Sequence, residues 1–227
     1  MPVTALPDTC PAADALAAGQ AAILPNPSPL TYVVTATDPQ VVNNAKGRPV
    51  GQEVALWVHD DTTWAGLSPA LDLTPAALDR ALDLLRTELV TLLVPLHQDA
   101  TPPPWALPAL RDGHLLLFGA RWRPLASLLE RFPRLYVSSA NRTGQAPATT
   151  AVHASTMFGP GIHITSADAL RDIDTPHHAT TMLRIASDGT LTHVRHGAQD
   201  LAHGSDPVQY LEHLRTAGGR KGAPARW

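Results

Sequence analysis

"HLLLFGARWRPLASLLERFPRLYVSSANRTGQAP", residues 114–147, decides the class of fold. An apolar run of strand composition ends at "FGA", "RPLASLLERF" carries its leucines at helical spacing, and "RLYVS" is strand-like again. Strand, helix, strand is the unit from which α/β sheets are assembled. The second strand stops in a cluster of small polar groups, Ser138, Ser139, Asn141 and Thr143, with Gly144 allowing a tight bend. Taken locally, this is a surface turn. Placed at the end of a sheet strand, where open α/β sheets commonly bind ligands, it is also a set of donors and acceptors for a ligand. It has neither the glycine spacing nor the Lys-Ser/Thr pair of a Walker A loop.

The flanking sequence repeats the alternation. Towards the N-terminus, "PAADALAAGQ" (11–20) predicts a short helix, "AAILP" (21–25) a strand, "NPSPL" (26–30) a turn and "TYVVTAT" (31–37) a second strand. "DPQVVNNAKG" (38–47) opens a helix with Asp38 as cap and closes it at Gly47, which leaves Lys46 at a helix C-terminus. "EVALWVHD" (53–60) reads as a buried strand and is followed by a Trp-containing connection. "TPAALDRALDLLRTE" (74–88) is the best-marked helix, "ELVTLLVPL" (88–96) a central strand and "TPPPWALP" (101–108) a loop. Beyond the opening stretch come a helix around 149–157, a hairpin of "TTMLRIA" and "LTHVRHG" turned by Ser187-Asp188-Gly189, and a last helix from Asp206-Pro207. The expectation is α/β: one domain over 1–215 with a mixed parallel and antiparallel sheet flanked by helices, and a flexible tail over 216–227.

Composition narrows the function. Of 227 residues 44% are hydrophobic and 16% charged, as in folded globular chains. One cysteine excludes an internal disulfide framework and a four-cysteine zinc site. No apolar run approaches the roughly 20 residues of a membrane span, and the N-terminal residues lack the basic start and apolar run of a leader, so the expected location is the cytoplasm. A net charge of −3 opposes indiscriminate coating of nucleic acid, which depends on phosphate neutralisation. Only two of the 17 basic residues are lysines, Lys46 and Lys221, so an interior lysine stands out.

Lys46 and Arg48, two apart with Pro49 stiffening the chain behind them, offer a point charge beside a planar fork. That pair suits a polyphosphate or carboxylate ligand, and equally complements the dipole at a helix C-terminus. The histidines cluster only in "THVRHG" and "PHH". On a regular strand His193 and His196 point to opposite faces, which argues against a metal site built from protein ligands. No nucleophile-elbow spacing supports a Ser-His-Asp triad.

Three stretches in order, "KGRPVGQEVALWVHD" (46–60), "SSANRTGQAP" (138–147) and "TTMLRI…VRHGA" (180–198), resemble the YrdC-like family, the threonylcarbamoyl-AMP synthases. The resemblance implies a twisted sheet with an open concave cleft. It also implies an activity, condensation of L-threonine, bicarbonate and ATP into threonylcarbamoyl-adenylate for tRNA modification, with Mg2+ entering on ATP. By the same resemblance Lys46 and Arg48 are catalytic at the phosphates, and Ser138, Ser139, Asn141, Thr143, Thr180, Thr181 and Arg195 bind nucleotide. Ser28, Thr31, Thr91 and Arg121 fall to the other substrate. RNA or tRNA-modification proteins are the implied partners.

The departures lie on one side. "PNPSPLTY" (25–32) keeps Pro25 but has Asn26, Pro27 and Leu30 where the family has threonine, an acid and tyrosine. "TELVT" keeps Thr91, and in "FGARWRP" the family's arginine is either lost at Gly119 or displaced to Arg121. Phosphate-side residues persist while substrate-side residues differ, which predicts a changed acyl substrate. Two further readings stand beside this enzyme: a non-catalytic module binding nucleotide or double-stranded RNA, and a carbamoyl-adenylate step in specialised metabolism.

Overall fold

Capping residues fix where most of the helices begin. The computed structural model describes residues 8–27, 30–119, 123–171, 177–204 and 206–217. Helix α1 (Cys10–Ala17) leads into the hairpin of β1 (Ala22–Pro27) and β2 (Leu30–Ala36), whose register pairs Leu24 with Val33 and Asn26 with Thr31. In α2 (Pro39–Lys46) the Asp38 side chain accepts from the Gln40 N–H, and Gly47 takes the left-handed φ of 66° that ends the helix. β3 (Ala55–Trp57) follows.

The sequence reading has only a connection after β3, but the chain forms α3 (Asp61–Leu67). Asp60 caps it by accepting from the backbone of Thr63 at 2.7 Å, and Trp64 and Leu67 enter the core. Thr74 caps α4 (Pro75–Asp83), which ends in a π-helical turn over Leu84–Glu88. Next come β4 (Thr91–Pro95), a 3₁₀ stretch over Pro104–Ala109 where the prolines predict loop, β5 (Leu110–Arg111) and β6 (His114–Phe118). α5 (Ala126–Leu129) is a single turn behind a 3₁₀ start, shorter than the helix expected over 123–132. β7 (Tyr136–Ser139), α6 (Ala151–Phe158), β8 (His163–Ile164) and the hairpin of β9 (Met182–Ile185) with β10 (Leu191–Arg195) complete the sheet. α7 (Ala198–Leu201) and α8 (Pro207–Ala217) follow. The tail expected over 216–227 begins inside α8, and the rest of it lies outside the described residues.

All ten strands join one mixed sheet in the order β10-β9-β4-β6-β3-β7-β2-β1-β8, with β5 paired to β6. Alternation along each strand sends side chains to two separate cores. Ile23, Tyr32, Val34, Leu56 and Leu117 pack with residues of α2, α3, α4, α6 and α8 on one face, whereas Leu24, Val33, Trp57, Leu93 and Phe118 meet α1 and α5 on the other. The sheet curls strongly towards the α1/α5 face. β9 and β1 are six places apart, roughly 29 Å in a flat sheet. Yet Asn26 at the end of β1 donates to the Thr180 hydroxyl, two residues before β9, at 2.8 Å. Among the described residues no helix is long and apolar enough to cross a membrane.

Candidate functional site

The inner face of this curl is apolar at one end, under α1 and α5, and polar at the other. Asn26 shares the side of Leu24, Thr31 that of Val33, Thr91 that of Leu93 and Ser139 that of Val137, so two-residue alternation brings all four to the inner face. They form two rims. Ala140 N–H donates to the Tyr32 carbonyl at 2.8 Å, which sets the loop after β7 against the β1–β2 hairpin and so joins the rims.

The first rim is built on a lysine. Lys46 leaves the last turn of α2 and is 1% exposed. Its Nζ donates to the Ser139 carbonyl and, at 2.8 Å, to Asn141 Oδ1. Ser139 Oγ donates to that same amide oxygen at 2.6 Å, and Asn141 Nδ2 donates to the Gln145 carbonyl at 2.7 Å, closing the loop on itself. Burial first, then the charges of Arg48 and Arg142, push the Lys46 ammonium down to about 7. Two of its hydrogens are engaged within the protein, and protonation adds a third. Arg48 is half-buried next to it: its backbone N–H donates to the Asn43 carbonyl at 2.9 Å, and its guanidinium makes no hydrogen bond among the described residues.

Arg142 belongs to this rim although the sequence reading passes over it. Its guanidinium donates to the Ala45 carbonyl at 2.9 Å and lies 5.1 Å from the centre of the Phe158 ring, pinning the end of α2 to α6. An arginine inside a turn carries no local mark of that long-range role.

The second rim is neutral at its centre. Asn26, Thr31, Thr91 and Thr180 are all buried, Asn26 and Thr180 being joined as described. Arg195 Nη2 donates to the Thr180 carbonyl at 2.9 Å, bringing a cation to the same edge. Burial first, then Arg111, lowers the Arg195 guanidinium from its ordinary value, yet an arginine keeps its charge. Thr91 pairs with Met182 across β4 and β9, a strand step further in. In the sequence Asn26 stands out only as a departure from the family pattern, because its partner lies 154 residues away.

Several expected site residues fall elsewhere. Ser138 pairs with Val34 and faces the opposite core, since alternation lets only one of two adjacent serines look inwards. Thr143 is exposed in the turn. Thr181 is fully buried: its hydroxyl donates to Asp200 Oδ1 at 2.6 Å and accepts from the backbones of Gln199 and Asp200 at 3.1 Å, so it fastens α7. Ser28 and Arg121 lie outside the described residues.

The opposite-face expectation for His193 and His196 is overturned. The β9–β10 register shifts between His193 and Arg195, and the strand ends there, so the two rings come within 4.5 Å. His193 Nε2 and His196 Nδ1 both contact Asp200 Oδ2, at 3.2 and 2.6 Å.

A curled mixed sheet with helices on both faces and a polar inner rim is the YrdC-like α/β fold. The solved structures with this architecture include P. abyssi Sua5 complexed with L-threonine, at TM-score 0.60 and 16% identity over 82% of this chain and 53% of that one. Full-length HypF in its phosphate- and nucleotide-bound form matches at TM-score 0.61 and 15% identity over 88% of this chain and 30% of that one. E. coli YciO matches at 0.58 and 12% over 84% and 89%. The chain thus spans about half the length of Sua5. No family model and no curated protein sequence matches the chain. At these identities the likeness is one of fold.

Proposed function

We propose that the chain forms a carbamoyl-adenylate from ATP, bicarbonate and an amine-bearing acid, with MgATP on the Lys46 rim and the acyl group towards Asn26 and Thr180. The amine attacks the bicarbonate carbon and water leaves, giving a carbamate; a carbamate oxygen then attacks the α-phosphorus, and the bond to pyrophosphate breaks. Such a step needs alignment and charge neutralisation and no protein nucleophile. The observation that carries this reading is Lys46: a buried lysine held by the Ser139 carbonyl and the Asn141 amide oxygen, with Arg48 next to it. Burying an amine costs several kcal/mol in the charged form, a cost that an anionic ligand offsets. Lys46, Arg48, Ser139, Asn141, Thr180 and Arg195 include no carboxylate, which fits Mg2+ held by phosphate oxygens and water.

The fold shared with a Sua5 that binds L-threonine and a HypF that binds nucleotide supports the same reading. The amino acid is set by the second rim, where a neutral Asn26 replaces the family's threonine and the hairpin departs most from the family pattern. We therefore infer an amino acid other than threonine, used in specialised metabolism or a divergent modification step. The test combines purified chain, ATP, Mg2+, bicarbonate and a panel of amino acids, followed by pyrophosphate release and mass spectrometry of the adenylate. Release with one amino acid, lost in Lys46→Ala, supports the proposal. Nucleotide binding without release across the panel supports a non-catalytic module instead.

A further inference from the structure

We propose that His193, His196 and Asp200 form a binding site for one divalent transition-metal ion of the zinc type. Nε2 of His193, Nδ1 of His196 and a carboxylate oxygen of Asp200 lie within 4.8 Å of one another, the one such group among the described residues. Ligands about 2.0–2.2 Å from a tetrahedral zinc stand roughly 3.3 Å apart, so the three atoms reach that geometry by shifts of about an ångström. Both imidazoles already aim at Asp200 Oδ2, their rings tilted 52° to each other. An ion takes the place of the hydrogens now crowded between two nitrogens and one oxygen.

The surroundings are those of an oriented ligand set. Asp200 Oδ1 is held by the Thr181 hydroxyl at 2.6 Å and the Gly197 N–H at 2.7 Å, leaving Oδ2 turned to the histidines. Gly197 has no room for a side chain, because a Cβ there would lie 2.2 Å from the Thr181 nitrogen. The Asp200 and His193 side chains are 1% and 12% exposed, and that of His196 is 54% exposed. The site is therefore closed on the protein side and open on one flank, with room for water as a fourth ligand. Two imidazoles and one carboxylate suit Zn2+, Co2+, Ni2+ or Cu2+, whereas Mg2+ and Ca2+ prefer oxygen alone. This site stands apart from the ATP reading and does not depend on it. It does adjoin Arg195, so a bound ion fixes the segment carrying that cation.

The test uses the whole chain, stripped with a chelator and titrated with Co2+ and then Zn2+. Cobalt absorption bands follow coordination, elemental analysis counts ions, and circular dichroism checks folding. The expected result is one ion per chain, with Zn2+ displacing Co2+. His196→Ala, at the exposed ligand, lowers affinity at least about tenfold, as does His193→Ala. His213→Ala, in the stacked His203–His213 pair, leaves affinity unchanged. Failure of the folded wild-type chain to take up Co2+ or Zn2+ stoichiometrically overturns the proposal. So does affinity that both ligand variants leave unmoved, or that His213→Ala lowers equally.

Discussion

The two rims of the cleft use polar groups in opposite ways. On the Lys46 rim a buried cation is cradled by acceptors and has a second cation, Arg48, beside it. On the Asn26 rim the buried groups are an amide and hydroxyls: Asn26 Nδ2 donates to the Thr180 hydroxyl, Asn26 Oδ1 has no partner among the described residues, and the Arg195 guanidinium donates to the Thr180 carbonyl. A rim that gathers cations calls for an anion, whereas a neutral rim with an unpaired amide oxygen calls for a hydrogen-bond donor. On the proposed reading, polyphosphate binding belongs to the first, and shape and hydrogen-bond selection to the second.

The largest break in that contrast should come from Lys46→Ala. Nucleotide-induced thermal stabilisation disappears and pyrophosphate release falls by at least about 100-fold, the scale of losing one electrostatic donor to the transition state. Lys46→Arg does not rescue, because the larger fork has no space in a socket that is 1% exposed. Retention of full nucleotide affinity in Lys46→Ala would move the phosphates off this rim.

The proton on Lys46 sharpens the contrast next. With the free amine at about 7, an anion that keeps it charged must recruit a proton above that pH, so affinity declines as pH rises from 7 to 9, by up to about tenfold per unit. Folding has the opposite slope. The unfolded lysine, near 10.5, binds the proton that the folded one has lost, so stability rises across the same window, by up to about 1.4 kcal/mol per unit. Calorimetry measures the first and urea unfolding the second. Lys46→Met should abolish the stability slope, and an unchanged slope would count against a buried titrating amine.

On the neutral rim the expected effects are smaller. Asn26→Ala leaves the buried Thr180 hydroxyl without its donor and lowers stability by about 1–2 kcal/mol in urea titrations. It also changes the ranking of amino acids in the pyrophosphate assay while nucleotide affinity stays within about twofold. Equal loss of affinity for all ligands would make Asn26 a purely structural clasp. Smallest of all, Ser138→Ala and Thr143→Ala leave turnover within about twofold and stability within about 0.5 kcal/mol. A large loss from either would return it to the site.

Local chemistry made much of this legible. Asp38-Pro39 and Thr74-Pro75 mark helix starts, Gly47 marks a stop and Gly189 turns a hairpin, because each acts within a few residues of itself. The pairing of Lys46 with Ser139 and Asn141 was legible only through family resemblance, since about 95 residues separate the partners. Four features escaped for physical reasons. α3 hides behind a polar start whose cap, Asp60, looks like a strand end, and two-residue strands such as β8 have no period to detect. The bulge that unites His193 and His196 is a property of pairing, and the inward Ser139 is distinguished from the outward Ser138 only by the register of β7.

The bond between Asn26 and Thr180 also says when the cleft comes into existence. Its partners are among the most widely separated in the chain, so the loop that joins them closes only after most intervening strands have docked. An intermediate with β1–β2, α2 and β7 in place already has the lysine socket but no opposite wall. On the proposed reading full ligand affinity comes late in folding, and its recovery after dilution from urea should lag behind recovery of secondary structure.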